Sequence, residues 1–410
     1  MRSVTKRLLL FAETTGYQIR VFADAACRLG AELTLATDRC HVLEDPWADR
    51  AIPVRFDRIA ESIEALRRLR FDGVAAVGDR PAVLAAEAAA AFGLPFHLPA
   101  AARVCHDKYL ARQLVRAAGM RVPAFFRARL DDDAHVLAGR APYPCVLKPV
   151  GLSASRGVIR ANDEAGFLAA LARIRKIGEQ YLQVESYIPG REFAIEGVAT
   201  TGRFQPFAIF DKPDPLEGPF FEETIYVTPS REPAGVQREL LETTARAVGA
   251  LGLCHGPVHA ELRYNQEGAW MLEAHARPIG GLCGRALRFT NRISLEEILL
   301  RHALGEDVSG ASVEGPASGV MMIPIPKDGI YESGEGFERA TAVPGIEDVI
   351  ITAKEGQHLV PLPEGSSYLG FIFARADSPA AVEAALRRSD GELDFRIATA
   401  LPTFKPSALL

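Results

Sequence analysis

At 410 residues, 48% of them hydrophobic and 24% charged, the chain is long enough for two or three domains with well-buried cores. A net charge of -5 with dispersed basic residues argues against a nucleic-acid partner, because that binding relies on clustered Lys and Arg that displace counterions from phosphates. The local run Arg67-Arg68-Leu69-Arg70 reads as the wet face of a helix.

Residues 6 to 97 alternate short apolar runs with amphipathic stretches: Leu8 to Phe11, Arg20 to Leu29, Leu33 to Ala36, Ile59 to Leu69, Val74 to Val77 and Pro81 to Phe92. Strand and helix at this spacing predict a small parallel sheet with helical crossovers. The first turn, Ala12-Glu13-Thr14-Thr15-Gly16-Tyr17, lacks the G-x-G-x-x-G pattern that close approach to a pyrophosphate needs, so NAD is discounted. From Asp107 to Ala118 the apolar positions Leu110, Leu114, Val115 and Ala118 predict a buried helical face, and Gly119 ends the helix.

Tyr143 to Val150 reads as a strand running into the loop Gly151-Leu152-Ser153-Ala154-Ser155-Arg156-Gly157, followed by a short strand and a helix from Asp163 to Ile174. The chain to about residue 300 is expected to be mostly strand, apart from a helix at Gly235 to Leu251. Beyond it, strands at Gly319 to Ile325 and Gly370 to Arg375, turns at Pro344-Gly345 and Pro363-Glu364-Gly365, and a helix opened by Ser378-Pro379 predict an α+β unit without a cluster of catalytic residue types.

The six cysteines, Cys27, Cys40, Cys105, Cys145, Cys254 and Cys283, form no CxxC pair, which indicates neither a zinc site nor a disulfide framework. The apolar segment Leu8 to Ala12 is too short for a signal-peptide core or a membrane span. A cytoplasmic protein with no membrane partner is the expectation.

Two carboxylates stand out. Glu261, in His-Ala-Glu-Leu-Arg, and Glu273, in Leu-Glu-Ala-His-Ala-Arg-Pro, each lie in a predicted strand, with Asn265-Gln266-Glu267-Gly268 making the turn between them. A hairpin sets the side chains close together, where they repel unless a hard cation such as Mg²⁺ lies between them. A solvated pair on a strand surface is the alternative.

Three lysines sit upstream. Lys148, inside the apolar run Cys145-Val146-Leu147-Lys148-Pro149, needs a compensating anion. Lys108 starts a helix, where the dipole is positive and an anion would relieve the conflict. Lys212 ends the run Ile209-Phe210-Asp211-Lys212. The small residues of the 151–157 loop, Ser153, Ser155 and Gly157 among them, would let backbone amides approach phosphate oxygens, although no Walker pattern is present and a plain surface turn reads equally well. Glu185 and Glu192 flank an edge-like strand and turn whose backbone suits an adenine edge; a plain strand-turn-strand is the alternative.

With these residues in place, the chain resembles the ATP-grasp superfamily of carboxylate-amine ligases over about residues 104 to 290. The resemblance implies an α/β and α+β multidomain fold: an N-terminal parallel α/β pre-ATP-grasp domain (1–104), an ATP-grasp domain of two α+β subdomains (105–305, with a lid at about 120–190), and a C-terminal α+β domain (306–410). It implies that Lys108 and Lys148 hold the α and β phosphates of ATP, that Glu185 and Ile188 lie at adenine, Glu192 at ribose and Lys212 near the transferred phosphate, and that Glu261 and Glu273 bind two Mg²⁺ ions, with Mn²⁺ admissible.

Within the superfamily, Glu273-Ala274-His275-Ala276-Arg277-Pro278-Ile279-Gly280-Gly281 and Tyr368-Leu369-Gly370-Phe371-Ile372-Phe373-Ala374-Arg375 resemble L-amino acid ligases, which join two amino acids into a dipeptide. Arg277 matches their arginine for the acyl-phosphate intermediate. His275 stands where many ATP-grasp enzymes have Asn, which leaves metal, substrate and packing roles open. The implied catalytic set is Arg277, Glu273 and Lys212, with His259 or Glu223 taking a proton from the amine. Phe220, Phe221, Glu222 and Tyr226 offer surface for an amino acid. A homodimer through the first domain is common among relatives.

Two other readings compete. A biotin-carboxylase-like activator of bicarbonate shares the nucleotide site, but no Ala-Met-Lys-Met biotinyl motif occurs in this chain. A non-catalytic nucleotide sensor would tolerate loss of Glu261, Glu273 and Arg277, and all three are present.

Overall fold

The computed structural model describes residues 5–13, 17–38 and 51–399. Cys40 and residues Thr14 to Gly16 of the first turn lie outside the described residues.

Strands Arg7–Ala12, Glu32–Thr37, Ala51–Pro53 and Gly73–Val77 pair in parallel, as expected, with Arg7–Ala12 between Glu32–Thr37 and Gly73–Val77. Alternate side chains of the central strand enter different cores. Leu9 and Phe11 join the alanine-rich helix Asp79–Phe92, whereas Leu8 and Leu10 pack with Phe22 of Ile19–Arg28 and Leu299 of Leu295–Ala303. The helix Leu295–Ala303 falls in a stretch whose sequence reads as mostly strand. It lies so close to the sheet that a Cβ on Gly73 would stand 2.6 Å from the Ala303 carbonyl oxygen.

A second, antiparallel sheet orders Phe125–Arg129, Tyr181–Ser186, Cys145–Pro149 and Ile159–Ala161, backed by helices Ala134–Arg140 and Glu164–Arg175. Asp133 and Asp163 cap those helices, each accepting hydrogen bonds from first-turn amides. Leu147, Phe167, Leu171, Ile174 and Val184 fill the interior.

The third sheet has eight strands in the order Gly268–His275, Gly256–Asn265, Arg191–Thr200, Arg203–Lys212, Ile225–Thr228, Ala317–Ile323, Gly370–Ala376 and Ile346–Ile351. It runs without a break from the expected carboxylate hairpin into strands beyond residue 306. The helix Ala234–Leu251 packs on the hairpin side, and Pro379–Asp390, capped by Ser378, covers the other end.

One helix differs from its sequence pattern. Lys108–Ala117 buries Arg112 and Val115, while Leu110 and Leu114 are 40% and 39% exposed. Arg112 can lie inside because the Met271 carbonyl and the Glu185 carboxylate accept its hydrogen bonds. Among the described residues, no helix is long and apolar enough to cross a membrane. The five described cysteines are free thiols.

Candidate active site

Gly256–Asn265 and Gly268–His275 form the anticipated hairpin, and their register sets Glu261 opposite Glu273 and His259 opposite His275. A bulge after Glu261 shifts the pairing of the residues that follow. Two acids and two imidazoles therefore stand as adjacent cross-strand pairs, with the rings 6.0 Å apart and nearly parallel.

Each of the three lysines meets a carboxylate. Lys108 Nζ lies 2.9 Å from Glu273 Oε2, and Lys148 Nζ lies 2.6 Å from Glu185 Oε1. Lys212 Nζ lies 2.9 Å from Glu192 Oε1 and 3.7 Å from Glu261 Oε2, and also bonds Glu223. Burial alone would lower the Lys108 and Lys212 pKa values, yet the facing carboxylates raise both, Lys212 well above the ordinary lysine range. Burial would likewise raise Glu261 and Glu273. Lys212 and His259 hold Glu261 far below the usual carboxylate range, and Lys108 and His275 do the same for Glu273.

The sequence places Glu185 near an adenine edge, but its carboxylate is engaged by Lys148, by Arg112 at 2.9 Å and by Gln183 at 2.7 Å. Glu192 is similarly held between Lys212 and Arg263, each 2.9 Å away. Ile188 lends its carbonyl to Arg263 at 2.6 Å and borders the cavity described below. The side chains of both acids thus brace cations, and the backbone between them borders the open space.

Arg277 is anchored by Asp79, with Nε 2.9 Å from Oδ1. The same Oδ1 accepts a hydrogen bond from His275 Nδ1 at 2.9 Å. Asp79 is the first residue of the helix Asp79–Phe92, reached through Gly78 at φ +93° from the C-terminal end of a parallel strand. Ligand sites gather at such strand ends, a signal the Gly78-Asp79 pair carried in the sequence. Burial opposes ionisation of Asp79, but Arg277 and His275 hold its carboxyl well below the usual range. His259 bridges two acids, Nδ1 3.1 Å from Glu196 Oε2 and Nε2 3.3 Å from Glu261 Oε1. Glu196 also accepts the Ile279 amide at 3.1 Å, fixing the backbone that leads to Gly280 and Gly281. Asp79, Arg112 and Glu196 complete the site without belonging to any of the motifs the sequence displays, and Arg263 completes it from the run that carries Glu261.

A cavity of about 280 Å³ joins these groups. Lys108, Lys148, Ser153, Ser155, Glu185, Ile188, Glu192, His259, Glu261, Glu273, His275, Arg277, Gly280 and Gly281 all border it. Lys212 stands behind the carboxylates it contacts. Tyr17, Tyr226, Cys283, Met322 and Tyr368 also line the cavity, so the C-terminal region contributes directly. Glu223 and Phe221 border the cavity as well, whereas Phe220 and Glu222 do not; Phe220 instead packs under the Arg173 guanidinium.

The loop 151–157 covers one side. Gly157, at φ +71°, is not among the lining residues, and its amide is spent on the Pro363 carbonyl at 2.8 Å. Ser153 and Ser155 are the members of that loop's polar set that face the cavity. Next to Pro363, Glu364 receives Arg173 through two bonds of 2.8 Å, and its carbonyl accepts from Arg156 Nε at 3.0 Å. The small sheet and its loop are thereby clasped to residues 363–364.

The donor set fits a hard divalent cation. Carboxylate oxygens of Glu192, Glu223 and Glu261 lie within 4.8 Å of one another around the Lys212 ammonium, and Glu273 faces Glu261 across the hairpin, which leaves Glu261 and Glu273 as the facing pair of acids at the open space. Carboxylates that also border space for phosphates are the ligands Mg²⁺ takes.

Residues 141–286 match the ATP-grasp domain, and residues 321–398 match the L-amino acid ligase C-terminal domain 2. The fold is similar to the crystal structure of L-amino acid ligase from Bacillus licheniformis, with a TM-score of 0.81 at 25% identity, over 96% of this chain and 99% of that one. The sequence is 24% identical to uncharacterized protein y4rH of Sinorhizobium fredii over 75% of this chain and 64% of that protein. It is 29% identical to a D-alanine--D-alanine ligase of a Synechococcus strain over 45% of this chain and 59% of the ligase. The chain thus spans somewhat less than two thirds of the length of these two relatives.

Proposed function

Because the chain carries an ATP-grasp domain with an L-amino acid ligase C-terminal domain, and so is a member of the ATP-grasp carboxylate-amine ligase family, we propose that it joins two amino acids through an amide bond. ATP is consumed and ADP and phosphate are released. The observation that supports this reading is the meeting, in one cavity, of Lys108, Lys148, Glu261, Glu273 and Arg277 with Tyr368 and Met322 from the C-terminal region.

A carboxylate is a poor electrophile at neutral pH. In the proposed reaction its oxygen attacks the γ-phosphorus of ATP, the bond to the β-γ bridging oxygen breaks, and an acyl phosphate and ADP result. The amine nitrogen then adds to the acyl carbon, and the carbon-oxygen bond to phosphate breaks.

Lys108 and Lys148 bind and orient the triphosphate, exchanging carboxylate partners for phosphate oxygens. Lys212, behind Glu261, adds positive charge to the side of the site that the transferred group would approach. Glu261 and Glu273 would hold Mg²⁺, which supplies charge neutralisation of the phosphate oxygens when bound. Arg277, fixed by Asp79, and the amides at Gly280 and Gly281 stabilise the oxyanion of the tetrahedral species. His259, or Glu223, whose pKa burial raises, accepts the proton released by the amine. The 151–157 loop excludes water, which would otherwise hydrolyse the acyl phosphate. Tyr17, Tyr226, Met322 and Tyr368 offer an apolar wall to an amino acid side chain.

The test is ADP release with all pairs from an amino acid panel, coupled to mass spectrometry of the products. An amino-acid-dependent rate with a dipeptide of matching mass is expected. Release stimulated solely by bicarbonate and biotin, or by no amino acid at all, overturns the proposal.

A further inference from the structure

His275 has a role open to it that the mechanism above does not use. Its ring is 3% exposed, and its two nitrogens meet two different acids: Nδ1 lies 2.9 Å from Asp79 Oδ1, and Nε2 lies 3.3 Å from Glu273 Oε2. Asp79 is itself immobilised at the start of a helix and by Arg277 Nε. A buried carboxylate on Nδ1 fixes the tautomer that carries its proton there and directs the Nε2 lone pair outward. Here Nε2 lies against the Glu273 carboxylate, and both residues border the cavity opposite Glu261, so a cation held by Glu273 would stand within reach of Nε2. Proteins orient metal-ligating imidazoles in this way, with a carboxylate on the far nitrogen.

We propose that His275 Nε2 joins Glu273 as a ligand to the divalent ion, so that this half of the site is a mixed imidazole-carboxylate position preferring transition ions such as Mn²⁺ to Mg²⁺. The preference follows from the donors: Mg²⁺ is reluctant to exchange oxygen for nitrogen, whereas first-row transition ions accept imidazole. Asp79 is then a positioning residue for the metal site as well as for Arg277. The inference rests on the nucleotide reading of the cavity.

His259 supplies an internal control. It stands in the same relation to Glu261, with Glu196 behind it, on the neighbouring strand, but the reaction proposed above gives its Nε2 the proton of the amine and not the ion. Pulsed electron paramagnetic resonance of the full chain with Mn²⁺ and ADP separates the two histidines and the two levels of inference. Phosphorus coupling from the nucleotide is expected together with imidazole nitrogen modulation. The nitrogen signal should vanish in His275→Asn and persist in His259→Asn.

Asp79→Asn should weaken Mn²⁺ binding by about 10–100-fold, the usual effect of removing the carboxylate behind a metal-bound imidazole, while the melting temperature read by circular dichroism shows the fold retained. The Mn²⁺ to Mg²⁺ affinity ratio should drop by about 10-fold or more in His275→Asn. Phosphorus coupling without nitrogen modulation, or nitrogen modulation that disappears only in His259→Asn, overturns the role of His275 and leaves the nucleotide site standing. Loss of both couplings in the unmodified chain overturns the two together.

Discussion

Lys212 and Glu192 occupy directly opposed positions on adjacent antiparallel strands, and their charged atoms meet at 2.9 Å inside the protein. Glu223 and Glu261 share the same ammonium. Lys212 is thus the common counter-ion of three acids, so its removal leaves Glu223 without a cation, Glu192 with Arg263 alone and Glu261 with His259 alone. Lys212→Ala is expected to destabilise the fold by about 3–5 kcal/mol, measured by urea denaturation. An effect below about 1 kcal/mol would mean that the cluster is not held by this lysine.

Glu273→Gln should abolish amino-acid-dependent ADP release, with a fall of at least about 100-fold, because the amide carries no charge toward a cation or Lys108. Circular dichroism should show the fold retained. Unmodified rates in this variant would sink the assignment of Glu273 to the metal.

Arg277→Lys keeps the charge but loses the planar fork through which Asp79 anchors the side chain. A decrease in kcat of about 10²–10³-fold is expected, the size associated with removal of one donor to a developing oxyanion. A change confined to KM for ATP would place Arg277 on the nucleotide instead.

His97 ties stability to pH. Its ring is 1% exposed, Nδ1 accepts the Cys254 amide and Nε2 donates to the Pro257 carbonyl, an arrangement that needs the neutral imidazole. Burial pushes its pKa down from the ordinary 6.5 to about 4. With the folded value depressed, the unfolded chain binds the proton first, and stability is lost as pH falls from about 6.5 toward 4. Between pH 7.5 and 5 the contribution is about 2 kcal/mol. His97→Gln, which can offer a donor and an acceptor but does not titrate, should shrink the measured pH dependence by that amount; an unchanged slope would show that His97 does not carry it.

Gly157→Ala places a side chain at φ +71° and only 2.7 Å from Pro149 Cγ. A loss of about 1–3 kcal/mol is expected in thermal or urea unfolding. A neutral substitution would mean that the loop relaxes without strain.

The hairpin was legible because a polar four-residue turn separates two strand-like runs, and the period of two then decides which side chains share a face. That Lys148 and Lys108 require anions was legible as well, from apolar surroundings and a helix start. Which anions they meet was not: Lys148 finds Glu185 through pairing of Cys145–Pro149 with Tyr181–Ser186, and Lys108 finds Glu273 across 165 residues. Arg112 was not legible, because a cation on a helix reads as solvated and the acid that faces it, Glu185, lies 73 residues away in sequence. The C-terminal region showed no cluster of catalytic residue types, and its contribution is of another kind, the apolar and aromatic wall at Met322 and Tyr368. The helix Leu295–Ala303 lay within a run read as strand, although Ser294 and Glu297 form a capping box that marks its start.

The bond pair between Arg173 and Glu364 has a bearing on how molecules enter. Both side chains are about 40% exposed, and an ion pair so accessible to solvent contributes about 1 kcal/mol or less. A fastening of that strength biases the small sheet toward its seated position without locking it there. The bonds from the Gly157 amide to the Pro363 carbonyl and from Arg156 Nε to the Glu364 carbonyl share the load, so any parting of the small sheet from residues 363–364 breaks all of them together.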